Sequence, residues 1–154
     1  MSTVWPVLRN GLVTLLPTLA GWSTVLVTDG PPLTGDTGQQ TDGSVAYCAV
    51  GYVEDERGAG SWASSPEGSG HFDEETGEVR SELYTGNGDG DLSAAILAGF
   101  ALVDSLKAAA AADRTLGLLP QGSTCSVSGE VVTGRSEGAG QLLVLSVSYT
   151  SPIT

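Results

Sequence analysis

The most regular pattern of hydrophobic positions lies between residues 89 and 113. Apolar side chains recur there at intervals of three and four residues, as on a helix with one buried face. They are Leu92, Ala95, Ile96, Gly99, Phe100, Val103, Leu106 and Ala110. Asp89 and Asp91 precede the run, where carboxylates accept hydrogen bonds from the amides of a first turn. The pattern predicts a long helix with Phe100 and Val103 facing the core.

A second amphipathic pattern covers residues 4–16 and predicts a shorter helix. Thr3 can cap this helix, Pro6 fits its first turn and Pro17 ends or kinks it. No uninterrupted apolar run reaches the roughly 18 residues that a membrane-spanning helix requires. We therefore expect no transmembrane helix.

Shorter apolar or alternating runs, bounded by turn residues, predict strands. They are residues 24–28, 44–53, 71–85, 123–133 and 141–150. The run 44–53 is largely apolar on both faces and indicates a central strand. The run 71–85 fits one strand or a hairpin turning at Thr76 and Gly77. The last two runs pair most simply as a hairpin around residues 134–140.

The order of these elements predicts an α+β fold, in which two helices pack on a mostly antiparallel β-sheet. At 154 residues the chain is most simply a single domain, spanning 1–154. Residues 54–70 are polar and contain a lone tryptophan, Trp62, which predicts a long loop.

The charge balance narrows the classes of partner. Eighteen acidic residues face six basic ones, giving a net charge of −12. Such a chain is not suited to electrostatic capture of nucleic acid, which requires clustered Lys and Arg. The acids concentrate in residues 54–56 and 73–78.

Candidate chemistry is sparse. Cys48 and Cys125 are interpreted as two reduced thiols in separate strands, although their distance does not follow from the sequence. The run 86–91 resembles a calcium loop but lacks its glycine and its last glutamate. His71 lies near several acids in the sequence and is interpreted as an exposed, noncatalytic residue. We expect no catalytic activity, no metal and no cofactor.

Several phrases resemble the tail terminator proteins of long-tailed phages, in the form found in actinobacterial phages. They are LPTLAGWSTVLVTDGPP, TGNGDGDLSAAI, AAADRTLGLLPQGSTCSVSGE and GQLLVLSVSYTS. The resemblance covers nearly the whole chain, although relatives usually carry arginines in the first turns of the long helix. Here Lys107 is the only base of that helix.

The resemblance implies a virion structural protein of the tail and neck, assembled in the host cytoplasm. It implies a homohexameric ring that caps the head-proximal end of the tail tube, stops its polymerisation and offers a docking surface to the head connector. DNA would pass through the lumen without specific binding. Another neck protein, such as a head–tail stopper, is the alternative, and a small enzyme is a third.

Site residues follow from the same interpretation. Trp62 and Phe72 are predicted anchors on a neighbouring subunit or the tube. Six acids are predicted to line the lumen, where like charge lets DNA slide: Glu54, Asp55, Glu56, Asp73, Glu74 and Glu75. A competing interpretation is that these acids only solvate a flexible loop. The ring interface is predicted at an edge of the last hairpin or at the Ala-rich flank of the long helix.

Overall fold

The computed structural model describes residues 3–31, 45–54, 58–66, 73–87, 92–132 and 139–153. They form two α-helices, α1 (Val4–Leu15) and α2 (Leu92–Ala112), and a short 3-10 turn at Leu16–Thr18. They also form six strands: β1 (Leu26–Asp29), β2 (Val45–Val50), β3 (Gly60–Pro66), β4 (Asp73–Asn87), β5 (Thr124–Val132) and β6 (Ala139–Ile153).

The strands form a single sheet in the order β1-β2-β4-β6-β5, and β3 also pairs with β4. β1 and β2 are parallel, whereas every other pair is antiparallel. β3 lies along the first half of β4 and β2 along its second half. The predicted α+β class, the central position of β2 and the last hairpin, β5–β6, are confirmed.

Both helices pack on one side of the sheet, which we call the helix face. α1 contacts β1, β2 and β4, and α2 contacts β4, β6 and β5. Directly opposite residues of antiparallel strands share a face, so the cross-strand pairs Val79–Val147 and Leu83–Leu143 show which side this is. All four residues are buried in the hydrophobic core.

The other side of the sheet, the helix-free face, is mainly polar. On β4 it carries Glu74, Thr76, Glu78, Arg80 and Glu82, and on β6 Ser146, Ser148 and Thr150. Tyr84, Leu142 and Val144 also lie on this face, so its polar part is the half of the sheet where β3 pairs with β4.

In residues 54–85 the predicted loop is wrong, whereas of the two alternatives for 71–85 the single strand is confirmed over the hairpin. The predicted loop 54–70 contains strand β3, and β4 continues through Thr76 and Gly77 without a turn. Gly77 is needed for close packing: a Cβ there would lie 2.8 Å from Tyr149 Oη and 2.5 Å from the Ser61 carbonyl oxygen. Pairing with β3 on one side and β6 on the other keeps β4 extended despite this glycine.

The predicted orientation of α2 is also wrong in part. Its buried residues are Ala95, Gly99, Leu102, Leu106 and Ala110, whereas Phe100 is 41% exposed. Small residues let the helix lie close to the sheet. The short distance is shown by the hydrogen bond that Thr85 Oγ1 donates to the Ala95 carbonyl at 2.7 Å. A Cβ on Gly99 would lie 3.1 Å from that Thr85 oxygen. This close contact leaves the bulky Phe100 at the rim of the interface.

Candidate assembly surface

β5 is an outer strand with an open edge. It pairs with β6 from Thr124 to Val132, and no strand among the described residues pairs with its other side. Its nine residues contain no Lys or Pro, the residues that commonly protect an edge from pairing with another chain. Glu130 is its single charged residue. Among the described residues, this edge therefore has no strand partner and is suited to pairing with a further strand.

A groove of about 200 Å³ runs between α2 and β5 on the helix face. Phe100 and Val103 line it from the helix, and Val127 and Val131 line it from the strand. Phe100 is 41% exposed and Val131 is 56% exposed, so the groove opens to solvent with apolar walls. Lys107 lies at the border of the groove, and its Nζ is 3.9 Å from Asp104 Oδ1. We call this surface the α2–β5 groove.

The outer side of α2 is apolar as well. Leu97 is 72% exposed, and Leu92 at the start of the helix is also exposed. By length and composition alone α2 could cross a membrane, since an 18-residue window has mean hydropathy 1.6 and only 28% of that window is buried. Core helices of globular proteins pass the same test, and α2 packs along three strands.

The Ala-rich flank of α2 borders an open cleft of about 980 Å³. Ala98, Ala101 and Ala108 form the helix side, and Thr24 with Ala46 belong to the opposite wall. Small side chains therefore face open space here, which permits the close approach predicted from the sequence. The cleft is wide and shallow compared with the α2–β5 groove.

Trp62 lies on β3 rather than in a loop. Its side chain is 57% exposed, and β3 itself has no strand partner on its outer side among the described residues. Trp62 pairs with Gly77, which in turn pairs with Tyr149 of the core, so the indole lies on the helix face. Phe72, the second predicted anchor, lies outside the described residues.

The predicted lumen acids separate into different environments. Glu54 and Glu74 are exposed, and the Glu54 amide donates to Glu82 on the helix-free face at 3.0 Å. Asp73 is the first residue of β4. Asp55 and Glu56 lie outside the described residues.

Glu75 was predicted to line the lumen, and that prediction is wrong, because its side chain is fully buried on the helix face. Its carboxylate accepts hydrogen bonds from the amides of Val4 at 3.0 Å and Trp5 at 3.1 Å, at the start of α1. Tyr149 Oη donates to it at 2.5 Å. The predicted cap, Thr3, makes no side-chain capping bond. Glu75 therefore caps α1 from the sheet, where the helix dipole favours a negative charge.

The two thiols are far apart. Cys48 lies on β2 and Cys125 on β5, with β4 and β6 between them. Three strand spacings of about 4.8 Å already separate their strands by roughly 14 Å, beyond the reach of a disulfide. Burial raises the pKa of the Cys48 thiol to about 12, and burial together with the charge of Asp113 raises that of Cys125. Within the described part of the chain, no cluster of three His, Cys, Asp or Glu residues could hold a metal ion.

The sequence pattern does not predict the α2–β5 groove, although it names an edge of the last hairpin as a possible interface. The apolar pattern predicts a strand at Val131 and a core position for Phe100, and it does not bring the two together. An available signal was the width of the apolar surface on α2, which exceeds the face that one sheet can cover. No protein-family model matches this chain, and no curated protein matches it either.

Proposed function

We propose that this protein is a phage tail terminator: a ring of identical subunits that caps the head-proximal end of a tail tube and receives the head connector. The α2–β5 groove with its open strand edge is the observation that carries the ring. A hydrophobic surface beside an unpaired strand is suited to association with another chain. The sequence resemblance supplies the tail tube and the head connector as partners.

An interface that joins this edge to the opposite end of the sheet in a second copy is heterologous, because the two ends differ in shape. On that side of β4 lie β3 and, further along, β2 and β1. Contacts between two different surfaces of identical subunits generate rings when the rotation closes. A ring of this kind is what we propose, and a two-fold β5–β5 dimer is the arrangement that would contradict it.

The helix-free face is the side we assign to the lumen. It carries the exposed Glu74, the partly buried Glu78 and the hydroxyls of Ser146, Ser148 and Thr150, and Glu54 lies over it. Arg80 on this face is buried and donates to the Gly58 carbonyl at 2.9 Å. A polar, acidic wall attracts DNA poorly and lets it slide. Glu75 has no place in this lining.

The proposal is tested on the purified protein with native mass spectrometry and projection images, followed by polymerisation of tail-tube protein in its presence. We expect closed rings that bind the ends of tubes and stop their growth. Rings that bind the head connector but leave tube growth unchanged would indicate the stopper alternative. A protein that stays monomeric at high micromolar concentration and leaves tube length unchanged would refute the proposal.

The lumen assignment has its own test. Replacing Glu54 and Glu74 with Lys should make the ring retain DNA at low salt, and the retention should weaken as salt is added. Replacing Asp113, an exposed acid that directly follows α2, with Lys is the control for one such charge reversal, since the double variant makes two. Equal DNA retention by both variants would place Glu54 and Glu74 outside the channel.

A further inference from the structure

The outer strands β3 and β5 have complementary direction. β4 and β5 run the same way, because each is antiparallel to β6, and β3 runs opposite to β4. β3 of a second copy, placed beside β5 in the same orientation, would therefore be antiparallel to it. The junction would continue the alternation β3-β4-β6-β5 from one copy to the next.

The side chains at these edges lie on the same face. Trp62 on β3 belongs to the helix face, as do Val127 and Val131 on β5, whose partners in β6 are Val147 and Leu143. A continuous sheet keeps each face continuous, so Trp62 of a second copy would meet the α2–β5 groove rather than the lumen side.

The stepped outline of the sheet restricts the register. β1 projects one strand beyond β3 and lies level with Glu82 to Tyr84 of β4. Val132, at the end of β5, is also level with Tyr84 in its own sheet. A junction without offset would place the end of β5 onto β1 of the second copy. If β5 slides by four residues along the second copy, Val132 moves from the level of Tyr84 to the level of Arg80 and no longer overlaps β1. Because the slide is an even number of residues, every side chain stays on its own face of the sheet.

We propose that β5 of one copy pairs with β3 of a second copy in this register, with Val131 opposite Gly60 and Cys125 opposite Pro66. All seven residues of β3 then have a partner. Trp62 of the second copy lies opposite Gly129, between Val127 and Val131, and its indole fills the α2–β5 groove against Phe100. This junction rests on the proposed ring and specifies how its subunits join.

Charge supports a second copy as the occupant. β3 has no charged residue, so Glu130 on β5 faces no like charge across the junction. Lys107 at the border of the groove is placed to contact the face of the indole.

The junction also produces an open channel. With four strands per copy, six copies would close a sheet of roughly 24 strands, and barrels of 16–18 strands already leave an aqueous lumen. A slide of neighbouring strands along one another is a general requirement of such closure. The offset imposed by β1 is therefore of the kind that a closed ring needs.

Disulfide trapping tests the register directly. Ser128 and Ala63 are exposed, lie on the helix-free face and are opposite each other in the proposed pairing. Opposite residues of antiparallel strands have Cα atoms about 4.5–5.5 Å apart, within the range for a disulfide. In a Cys125→Ser background, the double variant A63C/S128C should form a covalent ladder up to the full ring on oxidation.

The single variants are the matched controls. A63C alone and S128C alone should remain uncrosslinked, and their co-expression should give mixed dimers. Dimers from S128C alone would show a two-fold β5–β5 contact and overturn the proposal. Rings that form normally while the double variant gives no ladder would also overturn it, and would leave the proposed function standing.

Substitution of Trp62 provides a second measurement. Trp62→Ala should preserve the circular dichroism spectrum and weaken ring assembly at least about tenfold, as for a buried aromatic anchor. Trp62→Phe should restore much of the assembly. Val7→Ala, at an exposed apolar position on α1, is the control and should assemble normally. Assembly of Trp62→Ala at wild-type concentration would contradict the proposed packing.

Discussion

The two helices lie on the same face of the sheet but differ in what they show to solvent. α1 buries Val4, Leu8 and Leu12 against the sheet. Its other side is mostly exposed and carries residues such as Asn10 and Thr14. α2 buries a narrow line of mostly small residues and exposes Leu97 and Phe100. The chain thus completes its core with α1 and leaves part of α2 uncovered.

The difference shows what an apolar pattern can indicate. On α1, one face is apolar and that face is buried, so the pattern identifies the orientation. On α2, apolar residues occur around most of the circumference, so several orientations fit the sequence equally well. The position of Ala95 and Gly99 decides between them, since a helix approaches a sheet most closely where its side chains are small. The uncovered part of α2 then becomes available for assembly.

The largest effect should separate the two sides of α2. Leu106→Ala removes a fully buried side chain and should lower the free energy of unfolding by about 2–5 kcal/mol. Phe100→Ala, 41% exposed, should lower it by only about 1 kcal/mol, because complete burial of a phenylalanine contributes about 1.5–3 kcal/mol. Chemical denaturation of dispersed subunits measures both. Equal losses would restore Phe100 to the core, as its sequence pattern first indicated.

Removal of the carboxylate that caps α1 should lower the free energy of unfolding somewhat less than Leu106→Ala does, and the effect should be specific to Glu75. Glu75→Ala removes the acceptor for the amides of Val4 and Trp5 and for the Tyr149 hydroxyl, so we expect a loss of about 2–4 kcal/mol. Glu74→Ala, one residue earlier and exposed, is the matched control and should change stability by less than about 0.5 kcal/mol. Denaturant titration with near-ultraviolet circular dichroism reports both. Similar values for the two variants would mean that Glu75 has no capping role.

The elements of the fold could be predicted more fully than their contacts. The apolar repeats gave α1, α2 and the β5–β6 hairpin within a few residues, because each repeat is a local property of the chain. β3 was missed because Gly60–Pro66 is small and polar, and it is extended only through its pairing with β4. Its strand character comes from the partner rather than from its own residues.

The role of Glu75 could not be predicted, since its partner Val4 is 71 residues away in the sequence. The sequence places it in a run of acids with Glu74, and both were predicted to line the lumen. Alternation along β4 places the two carboxylates on opposite faces, one under a helix and one in solvent. The location of the α2–β5 groove likewise depends on strand order, which the sequence pattern leaves open.

The smallest expected effect is on the reactivity of the two thiols, Cys48 and Cys125, which lie under the two helices. Burial raises the pKa of Cys48 from 9.0 to about 12, and its side chain is inaccessible. Since the thiolate is the reactive form, Cys48 should resist iodoacetamide at pH 8 until the protein unfolds, whereas the half-buried Cys125 should react slowly in dispersed subunits. In the ring, pairing of β5 should protect Cys125 as well. Mass spectrometry of alkylated peptides, with and without assembly, measures this protection.

The same thiol gives a pH dependence of stability. Its pKa is higher in the folded than in the unfolded state, so the folded protein binds the proton more tightly. The contribution to stability is complete below about pH 9 and decreases as the pH rises from there toward 12. Cys48→Ala should therefore reduce the alkaline loss of stability, whereas Cys125→Ala should reduce it less. If both substitutions reduced it equally, the two thiols would be similarly buried, and the difference between the closed α1 side and the open α2 side would be wrong.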